Sequence, residues 1–353
     1  METITVALGE RSYPVRIGAG LLDQAGGQLR ESGIARCALI TDDNVAPLYL
    51  RRVCSALDSA GVAHSELVLP HGEATKCMAR LEEIHSFLAE ARFTRQDAVA
   101  ALGGGVIGDL AGFAAATWLR RVRFVQLPTS LLAQVDSSVG GKVAVNLPQG
   151  KNLVGAFWQP SLVLCDPDCL QTLDRHYWLD GLGEVVKYGA IGDETLFALL
   201  ERCAAGGREA LMGRMEEILR RCVGYKAAVV SQDETEQGLR MTLNFGHTLG
   251  HAVELCQQYR GLSHGMAVAA GMAAITRLSE AKGLTAAGTS ERLNALLSAL
   301  GLPTELPELP RAQLLDALGM DKKNSAAGLR LVLLDDIGHC RVLPAGMEFF
   351  AGL

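Results

Sequence analysis

The sequence predicts an α/β protein of two parts, a doubly wound parallel sheet followed by a mostly α-helical domain. Three observations carry this. Up to about residue 165, compact apolar runs alternate with amphipathic stretches, the pattern of strands joined by helical crossovers. Beyond about Leu173 the apolar residues recur at helical spacing instead. The 353 residues also exceed what one hydrophobic core usually serves. The expected division is 1–172 and 173–353, with an active site at the cleft between the two domains.

The elements follow in order. Thr3–Leu8 and Tyr13–Ile17 alternate polar and apolar residues like an antiparallel pair. Cys37–Ile40, Leu67–Leu69, Ala98–Leu102, Phe124–Leu127 and Leu162–Leu164 read as short buried strands, with helices expected over Asn44–Ser59 and Thr75–Ala91. A glycine turn at Gly103–Gly105, between a strand and a helix, gives this half a Rossmann-like, nucleotide-binding character. In the second half, Tyr177–Ala190, Glu194–Ala205, Glu209–Ser231, Thr242–Cys256, Gly265–Lys282 and Ser290–Leu300 carry helical apolar stripes. Pro303, Pro307 and Pro310 mark a loop. Leu329–Leu334 and Cys340–Leu343, either side of Gly338, read as a small hairpin.

Composition removes several function classes. A 49% hydrophobic, 20% charged chain is not a disordered one. A net charge of -6 argues against nucleic acid as a partner, because neutralising phosphates needs a basic face. The longest apolar stretch, Ala98–Ala116, is broken by Gly103–Gly105 and Asp109, so no membrane span is expected. The start, Met1–Val6, lacks the basic and apolar regions of a signal peptide. Nine cysteines without a C-x-x-C pair suit reduced thiols, so a soluble cytoplasmic protein is expected.

Two features point to chemistry. Three of the eight histidines, His247, His251 and His264, fall within one short stretch. His247 and His251 stand four apart and share one helix face, and imidazole is the commonest protein ligand for a zinc-like ion. Spacing alone leaves open a plain helix start with two satisfied polar side chains. The second feature is Gly103-Gly104-Gly105-Val106-Ile107-Gly108-Asp109, where glycines let a pyrophosphate approach a helix N-terminus. No acidic residue follows at the usual distance to bind a ribose; Asp42 and Asn44, just past a strand, offer that carboxylate and amide instead. A tight structural turn is the alternative here. Downstream, Lys142 and Lys151 sit beside glycines, which suits anionic oxygen ligands.

Gly103–Asp109, Pro128–Lys142, Gly150–Gly155, Gly183–Gly189 and Asn244–Ala252 together resemble the successive motifs of the 3-dehydroquinate synthase family. The resemblance runs from about Thr41 to Gly338. It places the chain among sugar-phosphate cyclases, which share a fold with metal-dependent polyol dehydrogenases. It implies Glu184, His247 and His264 as ligands of a divalent ion, Zn2+ or Co2+, and makes His251 a substrate contact. For NAD it implies Asp42, Asn44, Glu73, Lys76, Gly104, Gly105, Val106, Asp109, Thr129, Ser130, Lys142, Lys151 and Thr172. For substrate it implies Arg120, Asp136, Lys142, Asn152, Lys187, Lys226, Arg240, Asn244 and His251, with Lys322 or Lys323. In this family Arg120 reaches a neighbouring subunit, which implies a homodimer. Arg121 stands where glycine is common, His176 where glutamate is frequent, and Val143 and Ser130 where threonine is usual.

The implied reaction converts 3-deoxy-D-arabino-heptulosonate 7-phosphate into 3-dehydroquinate and phosphate, a step of the shikimate pathway. It runs through transient oxidation by NAD, phosphate elimination, re-reduction, ring opening and internal aldol closure, with NAD regenerated each turnover. The resemblance implies that the substrate's own phosphate takes the proton in the elimination, so no side-chain base is named; His251 is the candidate for assisting ring opening. A locally basic cleft reconciles an anionic substrate with an acidic chain. Cyclases making inosose or valiolone products act on substrates without the carboxylate, which leaves Lys226, Arg240 and Asn244 less reason to occur together. An aminated variant of the same reaction keeps that carboxylate. A polyol dehydrogenase of the shared fold would instead release NADH in proportion to product.

Overall fold

A computed structural model describes residues 1–324 and 329–353, the side chains of 320–324 excepted. The chain divides into two units, Met1–Leu173 with Lys226–Ser231, and Asp174–Tyr225 with Gln232–Leu353.

The first unit is built on β1 (Glu2–Val6), β2 (Tyr13–Ile17), β3 (Arg36–Asp42), β4 (Ala63–Leu69), β5 (Ala98–Gly103), β6 (Arg123–Pro128) and β9 (Leu162–Cys165), ordered β1-β2-β9-β6-β5-β3-β4. The β1/β2 pair is antiparallel and every other pairing is parallel. The interior strand β5, between β6 and β3, is buried along its whole length, because helices cover both faces. Strand alternation sorts the side chains into two cores. Ala38, Ile40, Val99 and Ala101 face Leu81, Ile84 and Leu88 of α3 (Met78–Glu90) and Ile107 and Leu110 of α4 (Gly105–Thr117). Cys37, Leu39, Ala98, Ala100 and Leu102 face Leu29 of α1 (Ala25–Glu31) and Val53 and Leu57 of α2 (Arg51–Ser59). This is the doubly wound sheet the alternation predicts.

Some boundaries differ. The helix expected from Asn44 is a wide turn over Ala46–Leu50 before α2 begins, and the one expected from Thr75 begins at Met78. An antiparallel hairpin, β7 (Lys142–Leu147) and β8 (Gly150–Phe157), occupies the glycine-lysine stretch.

The second unit contains α5 (Arg175–Gly192), α6 (Glu194–Ala204), α7 (Gly207–Met212), most of α8 (Met215–Gln232), α9 (His247–Cys256), α10 (His264–Ala281), α11 (Thr289–Ala299) and α12 (Arg311–Asn324). A hairpin of β10 (Leu329–Asp336) and β11 (His339–Ala345) completes it, as expected. The single helix expected over Glu209–Ser231 is two, broken at Gly213–Arg214. The helix expected from Thr242 starts only at His247, because Gly246 adopts a left-handed φ of 78° that ends the tight turns over Leu239–Asn244. Among the described residues, no helix is long and apolar enough to cross a membrane.

Candidate active site

In the second unit, helices α5, α9 and α10 carry the metal candidates, and small residues let them approach. A methyl group on Gly183 would lie 2.7 Å from the carbonyl carbon of Gly265, and one on Gly265 would lie 2.7 Å from that of Asp180. Both are closer than real contacts allow, so only glycine permits this α5–α10 spacing. Gly250 plays the same part between α9 and α10, where an added methyl would meet the Val268 Cα at 3.1 Å.

That packing sets Glu184, 1% exposed, against two imidazoles. Its Oε1 lies 3.6 Å from His247 Nε2 and 3.8 Å from His264 Nε2. The other oxygen, Oε2, accepts a hydrogen bond from Lys187 Nζ. Oε1 is buried and has no hydrogen-bond partner. A naked carboxylate oxygen in a protein interior is costly, so a cation shared with the two Nε2 atoms is the chemistry it fits.

The far sides of both rings are anchored, as ligating histidines require. His247 Nδ1 is 3.1 Å from the Phe245 carbonyl, an arrangement that puts the proton on Nδ1 and leaves Nε2 as a lone pair. His264 Nδ1 is 3.1 Å from Glu254 Oε2. Burial, Lys187 and the other two rings hold His247 well below the usual imidazole range, in the neutral form a metal takes. For His264 burial acts the same way, but Glu254, Glu184 and Asp180 outweigh it and raise the ring to about 9.

His251 completes the cluster. Donor nitrogens of His247, His251 and His264 lie within 4.8 Å of one another. The His251 ring sits 5.3 Å from that of His247 and 5.7 Å from that of His264, and its residue is exposed. Geometry alone therefore admits His251 as a further donor. Glu254 and Asp180 escaped the sequence reading. Each could have been found by helical spacing, since His247, His251 and Glu254 form one stripe of α9 and Asp180 stands one turn before Glu184. Asp180 Oδ1 accepts from the Gly265 amide at 2.6 Å, fixing the start of α10.

Elsewhere in this unit, Arg240 is 2% exposed and donates to the Glu234 carbonyl at 2.5 Å, while Asn244 donates to Glu236 at 2.9 Å. Lys322 and Lys323 fall on the last turn of α12, outside the residues whose side chains are described.

The first unit gathers most of the nucleotide candidates at the carboxyl ends of β3, β5 and β6, where open sheets bind ligands. Gly104 caps α4, whose first turn holds Gly105 and Val106. Methyl groups here would meet Ser130 Oγ at 3.4 Å and Ser137 Oγ at 3.1 Å, so the glycines keep the helix N-terminus open to an anion. Thr129 ties β6 to β5 through its amide and the Gly103 carbonyl at 3.0 Å. Asp42 ends β3, and its Oδ1 accepts from the amides of Asn44 at 3.0 Å and Val45 at 2.9 Å. Burial raises its carboxyl above the ordinary range against those bonds.

Lys76 links two groups, pairing with Asp109 and donating to Asn152 Oδ1 at 2.6 Å. Burial raises Asp109 while the Lys76 ammonium opposes it. Asn146 bridges Glu73, at 2.7 Å, to the Asn152 amide, at 2.9 Å. Lys226 donates to the carbonyl and carboxylate of Asp136 at 2.7 and 2.9 Å. Lys142 opens β7, Lys151 lies on β8, and Thr172 shares a hydrogen bond with Tyr49. Arg120 is exposed just beyond α4, within Leu119-Arg120-Arg121 at φ of 48°, 69° and 153°.

The chain matches the family model described as 3-dehydroquinate synthase N-terminal over residues 66–180, and the C-terminal model over residues 181–324. The chain belongs to the 3-dehydroquinate synthase family. It is 45% identical over 352 residues to the 3-dehydroquinate synthase of Clostridium beijerinckii, covering 99% of this chain and 100% of that one. With that of Citrifermentans bemidjiense it shares 48% over 346 residues, 97% and 94% of the two chains. Among solved structures it is similar to 2-epi-5-epi-valiolone synthase from Streptomyces hygroscopicus with NAD+ and Zn2+ bound, at TM-score 0.88 and 28% identity over 98% and 96% of the chains. It shares a fold, at TM-score 0.88 and 24% identity, with 2-deoxy-scyllo-inosose synthase, covering 99% and 98%. The 3-dehydroquinate synthase family is NAD- and divalent-metal-dependent and eliminates phosphate, a lyase activity. Arg121 holds a positive φ that glycine adopts freely.

Proposed function

We infer that this chain converts 3-deoxy-D-arabino-heptulosonate 7-phosphate into 3-dehydroquinate and phosphate, and that Glu184, His247 and His264 hold its divalent ion. The observation that carries the site assignment is the partnerless, buried Glu184 Oε1 facing two Nε2 atoms. Bound NAD supplies a reversible hydride acceptor, and the divalent ion a Lewis acid toward neighbouring hydroxyls.

The remaining work belongs to side chains. Lys187 fixes the Glu184 carboxylate so that one oxygen faces the rings. The Phe245 carbonyl and Glu254 orient those rings from behind. In the first unit, the α4 N-terminus with Gly104, Gly105 and Val106 cradles pyrophosphate, and Asp42 accepts from ribose hydroxyls. Asn44, Glu73, Lys76, Asp109, Thr129, Ser130, Lys142, Lys151 and Thr172 complete the proposed nucleotide contacts. The proposed substrate contacts are Asp136, Lys142, Asn152, Lys187, Lys226, Arg240, Asn244 and His251, with Lys322 or Lys323. Cationic and amide groups of this kind bind carboxylate and phosphate oxygens. His251 is placed to move a proton at a substrate oxygen during ring opening.

An exposed Arg120 on a strained turn suits a reach to a second copy, so a homodimer is proposed, with sedimentation at the monomer mass as the contrary result. Residence in the cytoplasm is the matching proposal for a chain with nine free thiols. The function is tested by incubating the enzyme with substrate, NAD and Zn2+ and identifying the product by mass. Dehydroquinate should form with the native chain and fall by at least about 100-fold with Glu184→Gln, which keeps shape but loses the charge that binds the ion. Full activity of that variant would refute the metal assignment.

A further inference from the structure

We propose that Cys54, His64 and Glu66 form a second metal site, of the zinc class, on the outer edge of the first unit. Secondary-structure geometry assembles it. Cys54 and Asp58 stand one turn apart on α2, while His64 and Glu66 stand two apart on β4 and so point to one side of the strand. A turn through Gly61, at a φ of 64°, folds α2 back against that strand.

The donor atoms converge. Cys54 Sγ lies 3.5 Å from Glu66 Oε1, and His64 Nδ1 lies 2.5 Å from the same oxygen. One donor from each of Cys54, His64 and Glu66 falls within 4.8 Å of the others. A tetrahedral zinc ion with ordinary Zn–S and Zn–O bonds separates those ligands by about 3.5 Å, which is the sulfur–oxygen distance already present. The nitrogen–oxygen pair would open to about 3.3 Å as the ion enters between them.

Two further facts point to a built site. The His64 side chain is only 12% exposed, although its carboxylate neighbours are at the surface. Its Nε2 lies 3.1 Å from Asp58 Oδ1, so the ring is held from behind by a carboxylate, the arrangement that orients ligating histidines. Thiolate, imidazole and carboxylate together select zinc over magnesium or calcium. Binding would release the Cys54 thiol proton to solvent, with the imidazole N–H on Nε2 toward Asp58, the Nδ1 lone pair on the ion and water filling the fourth position. The ion would tie α2 to β4, the terminal strand of the sheet.

The catalytic candidates Glu184, His247 and His264 include no sulfur, so cobalt distinguishes the two sites. The full chain is titrated with Co2+ and its near-ultraviolet absorption followed. A sulfur-to-cobalt charge-transfer band should rise to saturation, with roughly two ions bound per chain in total. Cys54→Ser should abolish the band, His64→Gln should weaken it at least about 10-fold in cobalt affinity, and both should keep dehydroquinate formation within about twofold. A chain that binds one ion without the band, or a band unchanged in Cys54→Ser, would overturn the proposal. If Cys54→Ser misfolds, His64→Gln alone decides by the same readings.

Discussion

At the scale of single residues, the site depends on how one carboxylate divides its oxygens. Lys187 takes Oε2 of Glu184, and the geometry leaves Oε1 for a cation. Glu254 acts one step further out, through His264 Nδ1. Glu254→Gln should therefore weaken Zn2+ binding by about 10- to 100-fold, with activity restored by excess metal. A titration with a competing chelator measures this, and unchanged affinity would remove Glu254 from the account. Arg121 offers an opposite case. Its φ of 153° is strained for a side chain with a Cβ, so Arg121→Gly should raise stability by about 1 kcal/mol. A denaturant melt showing a loss instead would mean that the arginine side chain repays its strain. Sequence spacing alone favoured His247 with His251; the resemblance substituted Glu184 and His264. Glu184 lies 63 positions before His247 in the chain, so no local pattern could join them; only the packing of both α5 and α9 against α10 does.

Whole elements were legible where burial leaves an unbroken apolar run or stripe in the sequence. β3, β5 and β6 announce themselves because two-sided burial forces continuous apolar runs. α1, α12 and the β7/β8 hairpin were not read. α1 opens with Ala25-Gly26-Gly27, α12 carries Gly319 and a polar end, and the hairpin is flanked or interrupted by Gly141, Gly150 and Gly155, so propensity speaks against each. Tertiary packing overrides it: at Gly155 an added methyl would lie 2.8 Å from the Ala144 Cβ, so glycine is what lets these two strands pack. The same physics governs α5 and α10. Gly265→Ala should force those helices apart, cost about 1–3 kcal/mol and weaken metal binding as Glu184 leaves His264. Gly319→Ala on α12, with open space around it, should leave both unchanged or slightly raise stability. Thermal melts with and without Zn2+ compare the two, and equal behaviour would show that the glycine contact does not set the site.

For the molecule as a whole, the family follows from the order of five separated motifs, each weak alone, and both family models span them. The two-part architecture was legible because periodicity changes along the chain, although Lys226–Ser231 of α8 groups with the first unit and no local signal marks that. The central claim is that an ion at Glu184, His247 and His264 works with an NAD that ends each cycle as it began. The most direct test follows phosphate release and NADH absorbance together, with NAD supplied at the enzyme's own concentration. The account predicts many phosphates released per NAD, no accumulating NADH, and arrest when a chelator removes the ion. NADH appearing in step with product, or undiminished phosphate release after chelation, would contradict it.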